Sequence, residues 1–474
     1  MASKIIIQTK DGKPESGARR VSLIDYQSKS LIEERSVSFT NGYAEIESFL
    51  IDEGDELLVY SPESDIFGAS IKAVVNEQAS AAWGVGEPTV LHTVLVAGQS
   101  LSVGVASSAV NAESPFGGFM FNGIRAEGKG DNVAQVAEME SLRPYQNELV
   151  ESHGYSFIQL FRSLEKSNDN RNNPVLWAST GVGGKTADWL FDTSNPSMNN
   201  AGRFITRSDL RAADIGLGVS LPFWLWDQGE SDTNTDPDTY KTTVRAGHDY
   251  VTSLANAKTG QSRFDMILTG IGSGIGRREI NNALYQYALE NDDAHYAGSK
   301  WYISHKYPAS SSDTTHMKAQ GYMMQGEYHA LAAHRLMQSV AAGDNPPVSK
   351  CLQPESYSVS GTSVTIAMHV PVPPIVIDTT TIPQLSGWGF KYISPTNVET
   401  VATSVNVSGN NLIVEFGVQL EEGGVLDFGY SDTQLGTPAL NVRDSQSIPS
   451  IVDGETLYNW FPVFYHALAA SEVA

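Results

Sequence analysis

The stretch Leu91–Ser100, LHTVLVAGQS, decides the reading of the fold. It is a short apolar run, rich in Leu and Val, that stops at Gly98. A run of that length without alternating polar residues is the pattern of a strand buried on both faces, as in a parallel sheet covered by helices. Four more such runs follow: PVLWAST (174–180), SLPFWLW (220–226), FDMILTG (264–270) and KWYISH (300–305). Amphipathic segments around 142–165, 236–257, 277–291 and 317–340 predict helices, the last with Met324, Tyr328, Leu331 and Arg335 at helical spacing. Residues 91–345 are therefore expected to form a doubly wound α/β domain.

On either side the period changes to two. Residues 1–90 carry the short β segments KIIIQT, ARRVSLID, AEIESFL and DELLVYS between turn-like DGKPESG, TNGY and DEGD clusters. They predict a small β domain, closed by the weakly structured NEQASAAWGVGEPT. Residues 346–474 carry SYSVSG, SVTIAMHV, SVNVSG, NLIVEFGV and GVLDFGY, which predict a β-sandwich. Three domains suit a chain of 474 residues, at roughly 150 residues per domain.

Composition narrows the function. Hydrophobic residues make up 41% and charged residues 18%, the profile of a folded globular protein. The net charge of −23 repels polyanions and argues against nucleic acid as a partner. The adjacent pair Arg277-Arg278 reads as a solvated helix start. The single cysteine, Cys351, has no partner for a disulfide or a metal cluster and reads as a packed thiol. The N-terminus lacks the apolar core of a secretory signal, and no run reaches the ~18 residues needed to cross a membrane. The expected location is the cytoplasm, or export by a route without a peptide signal, such as lytic release of virus particles.

In open α/β sheets, ligands bind beyond the carboxyl ends of the strands. There the first run is followed by Gly98-Gln99-Ser100, the second by Gly181-Val182-Gly183-Gly184, and the third by Asp227-Gln228-Gly229-Glu230-Ser231-Asp232. KWYISH leads to Asp313-Thr314-Thr315-His316. Each motif alone is weak, and a Gly-x-Ser after a strand is usually a turn. Together they supply a hydroxyl, an imidazole, a carboxylate and oxyanion donors, the parts needed for acyl transfer. Ser100 is the expected nucleophile, His316 the base and Asp313 its orienting acid. The N–H of Ser100, the N–H of Gly183 and the side-chain amide of Gln228 are the expected oxyanion hole, with Gly184 the alternative to Gly183. His305 is the rival base and Asp232 the rival acid.

As an ordered set, these four blocks resemble those of the SGNH hydrolases, in particular the sialate O-acetylesterase-like and carbohydrate acetylesterase branch. The third block of that branch is W-x-Q-G-E-S-D, matched here by Trp226 through Asp232, and its G-G-x-x-x-x-W element is matched by Gly183, Gly184 and Trp189. The resemblance covers about the middle half of the chain. Two positions depart from it, Asp227 where the branch usually has histidine and Leu101 where asparagine often follows the serine. Neither belongs to the triad, so the departures bear on substrate fit. The resemblance implies removal of acetyl groups from sugars with no metal or organic cofactor. It also implies supporting roles for Gln99, Gly184 and Glu230, the last bracing its loop by hydrogen bonding or contacting the substrate, and a structural role for Asp232.

Several decoys are set aside. TGVGGKT (180–186) lacks the first glycine of a phosphate-binding loop, because Ser179 stands there. GIGSGIG (270–276) fits no dinucleotide spacing. Tyr302, Trp224 and Trp226 read as core residues. The expected protein is a serine esterase acting on O-acetylated bacterial polysaccharide. Its overall plan resembles tail-associated deacetylases of bacteriophages, which implies a virion-tail location, trimerisation, and attachment to other tail proteins through the β domains. The alternatives are an inactive carbohydrate-binding tail or adhesin protein and an intracellular sialate or xylan esterase.

Overall fold

The computed structural model describes the backbone of six strands before residue 73. From residue 89 it describes all residues except 112–114, 116, 122–141, 148, 166–172, 215, 274–276, 431–437 and 474. Of the expected linker 76–89, only Thr89 is among them. The N-terminal strands Leu31–Phe39, Gly17–Asp25, Glu56–Tyr60 and Ser70–Lys72 form one antiparallel sheet in that order. Ser3–Gln8 pairs separately with Tyr43–Ser48. The strand Leu31–Phe39 was not expected from the sequence, since its charged LIEERS interior hides the alternation.

The central layer is a mixed sheet. Its strands are β1 (Val90–Gly98), β2 (Gly118–Phe121), β3 (Leu142–Pro144), β4 (Val175–Ser179), β5 (Gly218–Ser220), β6 (Phe223–Asp227), β7 (Asp265–Gly270) and β8 (Ala294–Ser299). The order is β8-β7-β6-β1-β4-β2-β3, with β5 also pairing with β1. All pairings are parallel except β2 with β3 at the edge. β1 shows why its sequence is almost wholly apolar. Val94 and Val96 face one layer of helices, Leu91, Leu95 and Ala97 face the other, and all five are fully buried. Each such Val or Leu contributes roughly 1.5–3 kcal/mol.

Helices cover both faces. Alpha1 (Gly154–Leu164) and α7 (Ala319–Ala342) pack on the face of Val94, Trp177 and Phe223, through Phe157, Phe161, Ala333 and Leu336. The opposite face is covered by α3 (Pro196–Asp214), α4 (Pro237–Thr259) and α5 (Arg278–Glu290), with the short α2 (Ala187–Phe191) beside them. Helix α4 shows its limits in sequence. The Asp236 side chain accepts from the N–H of Thr239 at 2.9 Å, Pro237 opens the helix, and Gly260 closes it in a left-handed conformation.

Two expectations need correction here. KWYISH is not a strand: residues 294–299 supply β8, and Trp301–Lys306 is a short helix, α6, with Trp301, Tyr302 and Ile303 buried. A short apolar run cannot be assigned to strand or buried helix by periodicity alone. The expected helix 142–165 splits into β3 and α1, and α3 was unforeseen because its sequence is polar on most sides.

Beyond α7 the strands pair antiparallel. Gln353–Ser360, Ser363–His369, Asn411–Glu415 and Ser404–Ser408 form one four-stranded sheet, and Glu399–Val401, Phe390–Ile393, Val425–Phe428 and Phe464–Ala467 form another. Tyr357 of the first meets Phe428 of the second at 6.3 Å between ring centres. Among the described residues, no helix is long and apolar enough to cross a membrane.

Candidate active site

Parallel pairing places the ends of β1, β4 and β6 at one edge of the sheet, with Ser179 level with Val96 and Asp227 level with Gly98. Ser100 follows β1 at the start of a 3₁₀ turn, Ser100–Val103. Gly98 allows that turn to sit tightly. Its φ is +149°, and a Cβ there would lie 2.0 Å from the carbonyl oxygen of Asp227.

The fourth block is a turn built by its own aspartate. Asp313 Oδ1 accepts from the N–H groups of Thr315 (3.2 Å) and His316 (3.1 Å), and the loop is closed by Ala309 N–H to His316 O at 2.8 Å. The second carboxylate oxygen, Oδ2, lies 2.8 Å from His316 Nδ1, and His316 Nε2 lies 2.9 Å from Ser100 Oγ. A carboxylate only accepts, so Nδ1 carries the proton and Nε2 is the acceptor for the serine hydroxyl. Burial pushes the Asp313 carboxyl up, but the N–H and imidazole of His316 outweigh it and hold the group below the usual carboxylate range. Ser100, Asp313 and His316 thus stand in one hydrogen-bonded line.

They open onto a cavity of about 460 Å³ whose wall also includes Gly183, Glu230, Ser231 and Arg277. Gly183 lies beside the nucleophile, since a Cβ there would stand 3.9 Å from Ser100 Cβ, an ordinary contact distance. Gly184 has a left-handed φ of +69° and open space around it. Among the described residues, the main-chain N–H groups of Ser100 and Gly183 make no hydrogen bond.

Gln228 is arranged differently from the expectation. It is buried and absent from the cavity wall. Its amide N–H groups point to the carboxylate of Asp232, the carbonyl of Lys185 (3.2 Å) and Gln99 Oε1 (3.4 Å), while its own oxygen accepts from Tyr240 at 2.8 Å. Gln99 Oε1 also accepts from Ser231 N–H at 3.0 Å. Asp232 accepts from the N–H of Ala187 at 3.0 Å and from the hydroxyl of Thr235 at 2.9 Å. Gln99, Gln228 and Asp232 therefore tie the first three loops together.

Beneath them lies a buried charge cluster. Lys300 Nζ bonds both Asp227 and Glu230, the latter at 3.1 Å, and Gln325 Nε2 donates to Asp227 at 2.5 Å. Burial opposes each charge, yet Lys300 holds Asp227 below its ordinary range and is itself raised by the two carboxylates. The nearby His153 and His329 are held neutral, at about 4 and about 3, chiefly by burial. Asp227 is fully buried, and its charge is met by Lys300 and Gln325.

The remaining candidates fall away from the cavity. His305 sits on α6, Trp224 and Trp226 are fully buried, and Cys351 is a buried thiol pushed up to about 12. Lys185 lies over the ring of Trp189 at 4.7 Å, and Thr186 caps α2. Among the described residues, no group of three His, Cys, Asp or Glu side chains could hold a metal ion. Sequence reasoning missed Lys300 and the cavity position of Arg277. An aspartate ending a buried strand calls for a cation, which was the available signal for Lys300.

The fold and this site define an α/β protein with a Ser–His–Asp line at the carboxyl edge of its sheet. Among solved structures, the chain is similar to a carbohydrate acetylesterase from Xanthomonas citri, at 12% identity and a TM-score of 0.51, covering 98% of this chain and 95% of that one. A family two carbohydrate esterase from Cellvibrio japonicus matches at 12% identity and a TM-score of 0.27, over 69% of this chain and 85% of that one. The likeness to the Xanthomonas citri protein is one of fold. No protein-family model and no curated protein matches the sequence.

Proposed function

We propose that this protein is a serine esterase that removes O-acetyl groups from a bacterial surface polysaccharide. The carrying observation is the line from Ser100 Oγ through His316 to Asp313, 2.9 Å and 2.8 Å, at the wall of an open cavity. The shared fold with a carbohydrate acetylesterase supports the same reading.

In this reading Ser100 Oγ attacks the acetyl carbonyl carbon as its proton passes to His316 Nε2, and Asp313 stabilises the imidazolium. The carbonyl oxygen becomes an oxyanion facing the N–H groups of Ser100 and Gly183. Collapse breaks the bond to the sugar oxygen, which takes the proton from His316 Nε2. Water, deprotonated by the same imidazole, then attacks the acetyl-enzyme, and acetate leaves while Ser100 regains its proton. Gln228 would join the oxyanion donors only by turning away from Asp232, so its proposed role is to hold Gln99 and the second loop in place.

The sequence resemblance supports a virion-tail setting, with the β-rich segments on either side of the esterase serving oligomerisation or attachment. Release of acetate from O-acetylated capsular or O-antigen polysaccharide tests the function. Release that follows enzyme concentration is expected. A protein that binds the polysaccharide and releases no acetate would belong to the carbohydrate-binding class instead.

A further inference from the structure

Behind the turn that carries Ser100 stand two histidines that the triad does not use. His153, the residue before α1, and His329, on α7, are both fully buried. His153 Nε2 lies 3.1 Å from the carbonyl oxygen of Ser102, two residues beyond Ser100 in the 3₁₀ turn. Its Nδ1 lies 3.2 Å from His329 Nδ1. The His153 ring is set edge-on to Trp177 of β4, with ring centres 5.2 Å apart and planes at 82°. Gly326 lets α7 approach this closely, since a Cβ there would lie 2.1 Å from the carbonyl oxygen of His153.

These distances assign the protons. Burial keeps both rings neutral, so each carries one ring proton. A carbonyl oxygen only accepts, which puts the His153 proton on Nε2 and leaves its Nδ1 bare. A bare nitrogen at hydrogen-bond distance from a second ring nitrogen needs a donor, which puts the His329 proton on Nδ1. The other nitrogen, His329 Nε2, meets no acceptor among the described residues, so a proton there would be a buried donor without a partner. Each ring thus holds the other in one tautomer. Moving the His153 proton to Nδ1 would set two N–H groups against each other and take the donor from Ser102.

We propose that His153 and His329 are positioning residues for the nucleophile, a relay of two imidazoles in fixed tautomers that ties the Ser100 turn to α1 and α7. The proposal rests on the esterase reading above. Neither ring lines the cavity, so both act through Ser102. That residue is joined to the start of the turn by its N–H and its hydroxyl, which donate to Gln99 O at 3.0 Å and 2.6 Å. The relay therefore sets where Ser100 Oγ stands relative to His316 Nε2. A nucleophile shifted from that place loses rate while the substrate still binds, so the effect falls on kcat and leaves KM alone.

Two measurements on the full-length protein test this. In ring ¹⁵N spectra of histidine-labelled protein, with signals assigned by His153→Gln and His329→Asn, the proton is expected on Nε2 of His153 and on Nδ1 of His329. In p-nitrophenyl acetate hydrolysis, His329→Leu, which has no donor, is expected to lower kcat by about tenfold to a hundredfold with KM within about twofold. His329→Asn, which can place an amide N–H where Nδ1–H stood, restores most of that loss, although Asn is the poorer helix former. The opposite tautomer on either ring overturns the proposal, and this reading stands even where His329→Leu fails to fold. Equal kcat losses in the Leu and Asn variants, or a native kcat in the Leu variant, overturn it as well. If the native protein cleaves no ester, the esterase reading fails and the positioning role with it, whereas a proton on the wrong nitrogen sinks the relay and leaves the esterase standing.

Discussion

Lys300 Nζ stands 3.1 Å from Glu230 Oε1, and neither side chain is more than 2% exposed. The same ammonium bonds the fully buried Asp227 at the end of β6. One cation therefore holds two carboxylates that flank Gln228. Removing it leaves buried charge without compensation, which costs about 3–5 kcal/mol in comparable buried pairs. Lys300→Met is expected to lower the unfolding free energy by that order in urea titration. A loss below about 1 kcal/mol would show that the cluster is not what supports this loop.

Gln228 offers a test that separates bracing from catalysis. Its amide N–H groups are directed at Asp232, Lys185 and Gln99. Gln228→Ala is expected to lower both the melting temperature and kcat, the latter by about tenfold. A loss of a hundredfold or more in kcat with an unchanged melting temperature would place the amide on the oxyanion, since that is the typical cost of one such donor.

Glu327 on α7 meets the C-terminal region, accepting from the hydroxyl of Ser450 and from the N–H of Ile451 at 2.9 Å. Burial raises its carboxyl from 4.5 to about 7 against these hydrogen bonds. The folded protein therefore keeps a proton between pH 4.5 and about 7 that the unfolded chain has released. Stability from this group is full below pH 4.5 and declines as pH rises to about 7. Glu327→Gln should remove that decline, so that the unfolding free energies of variant and native protein diverge between pH 5 and pH 8 in favour of the variant. Parallel pH curves would contradict this.

Much of the fold was legible because its signals are local. The apolar run of β1, its arrest at Gly98, and the capped helix Pro237–Thr259 each follow from neighbouring residues. Asp313 and His316 were legible for the same reason, since the turn joining them is made by Asp313 itself. Lys300 was hidden, because its partners lie 73 and 70 positions away. Nor does sequence show which way an amide points, so Gln228 could be placed near the site but not oriented. Arg277 and Arg278 are adjacent in sequence, yet one faces the cavity and the other pairs with Glu279. The strand assigned to KWYISH failed because a short buried helix and a short buried strand share one apolar pattern.

In the proposed mechanism Ser100 is a nucleophile activated by His316 and Asp313. The most direct test is the rate of p-nitrophenyl acetate hydrolysis by the native protein and by Ser100→Ala, each first shown by its melting temperature to be folded. A loss of roughly a thousandfold or more in kcat/KM is expected for the variant. A folded Ser100→Ala protein that hydrolyses the ester at the native rate would contradict it.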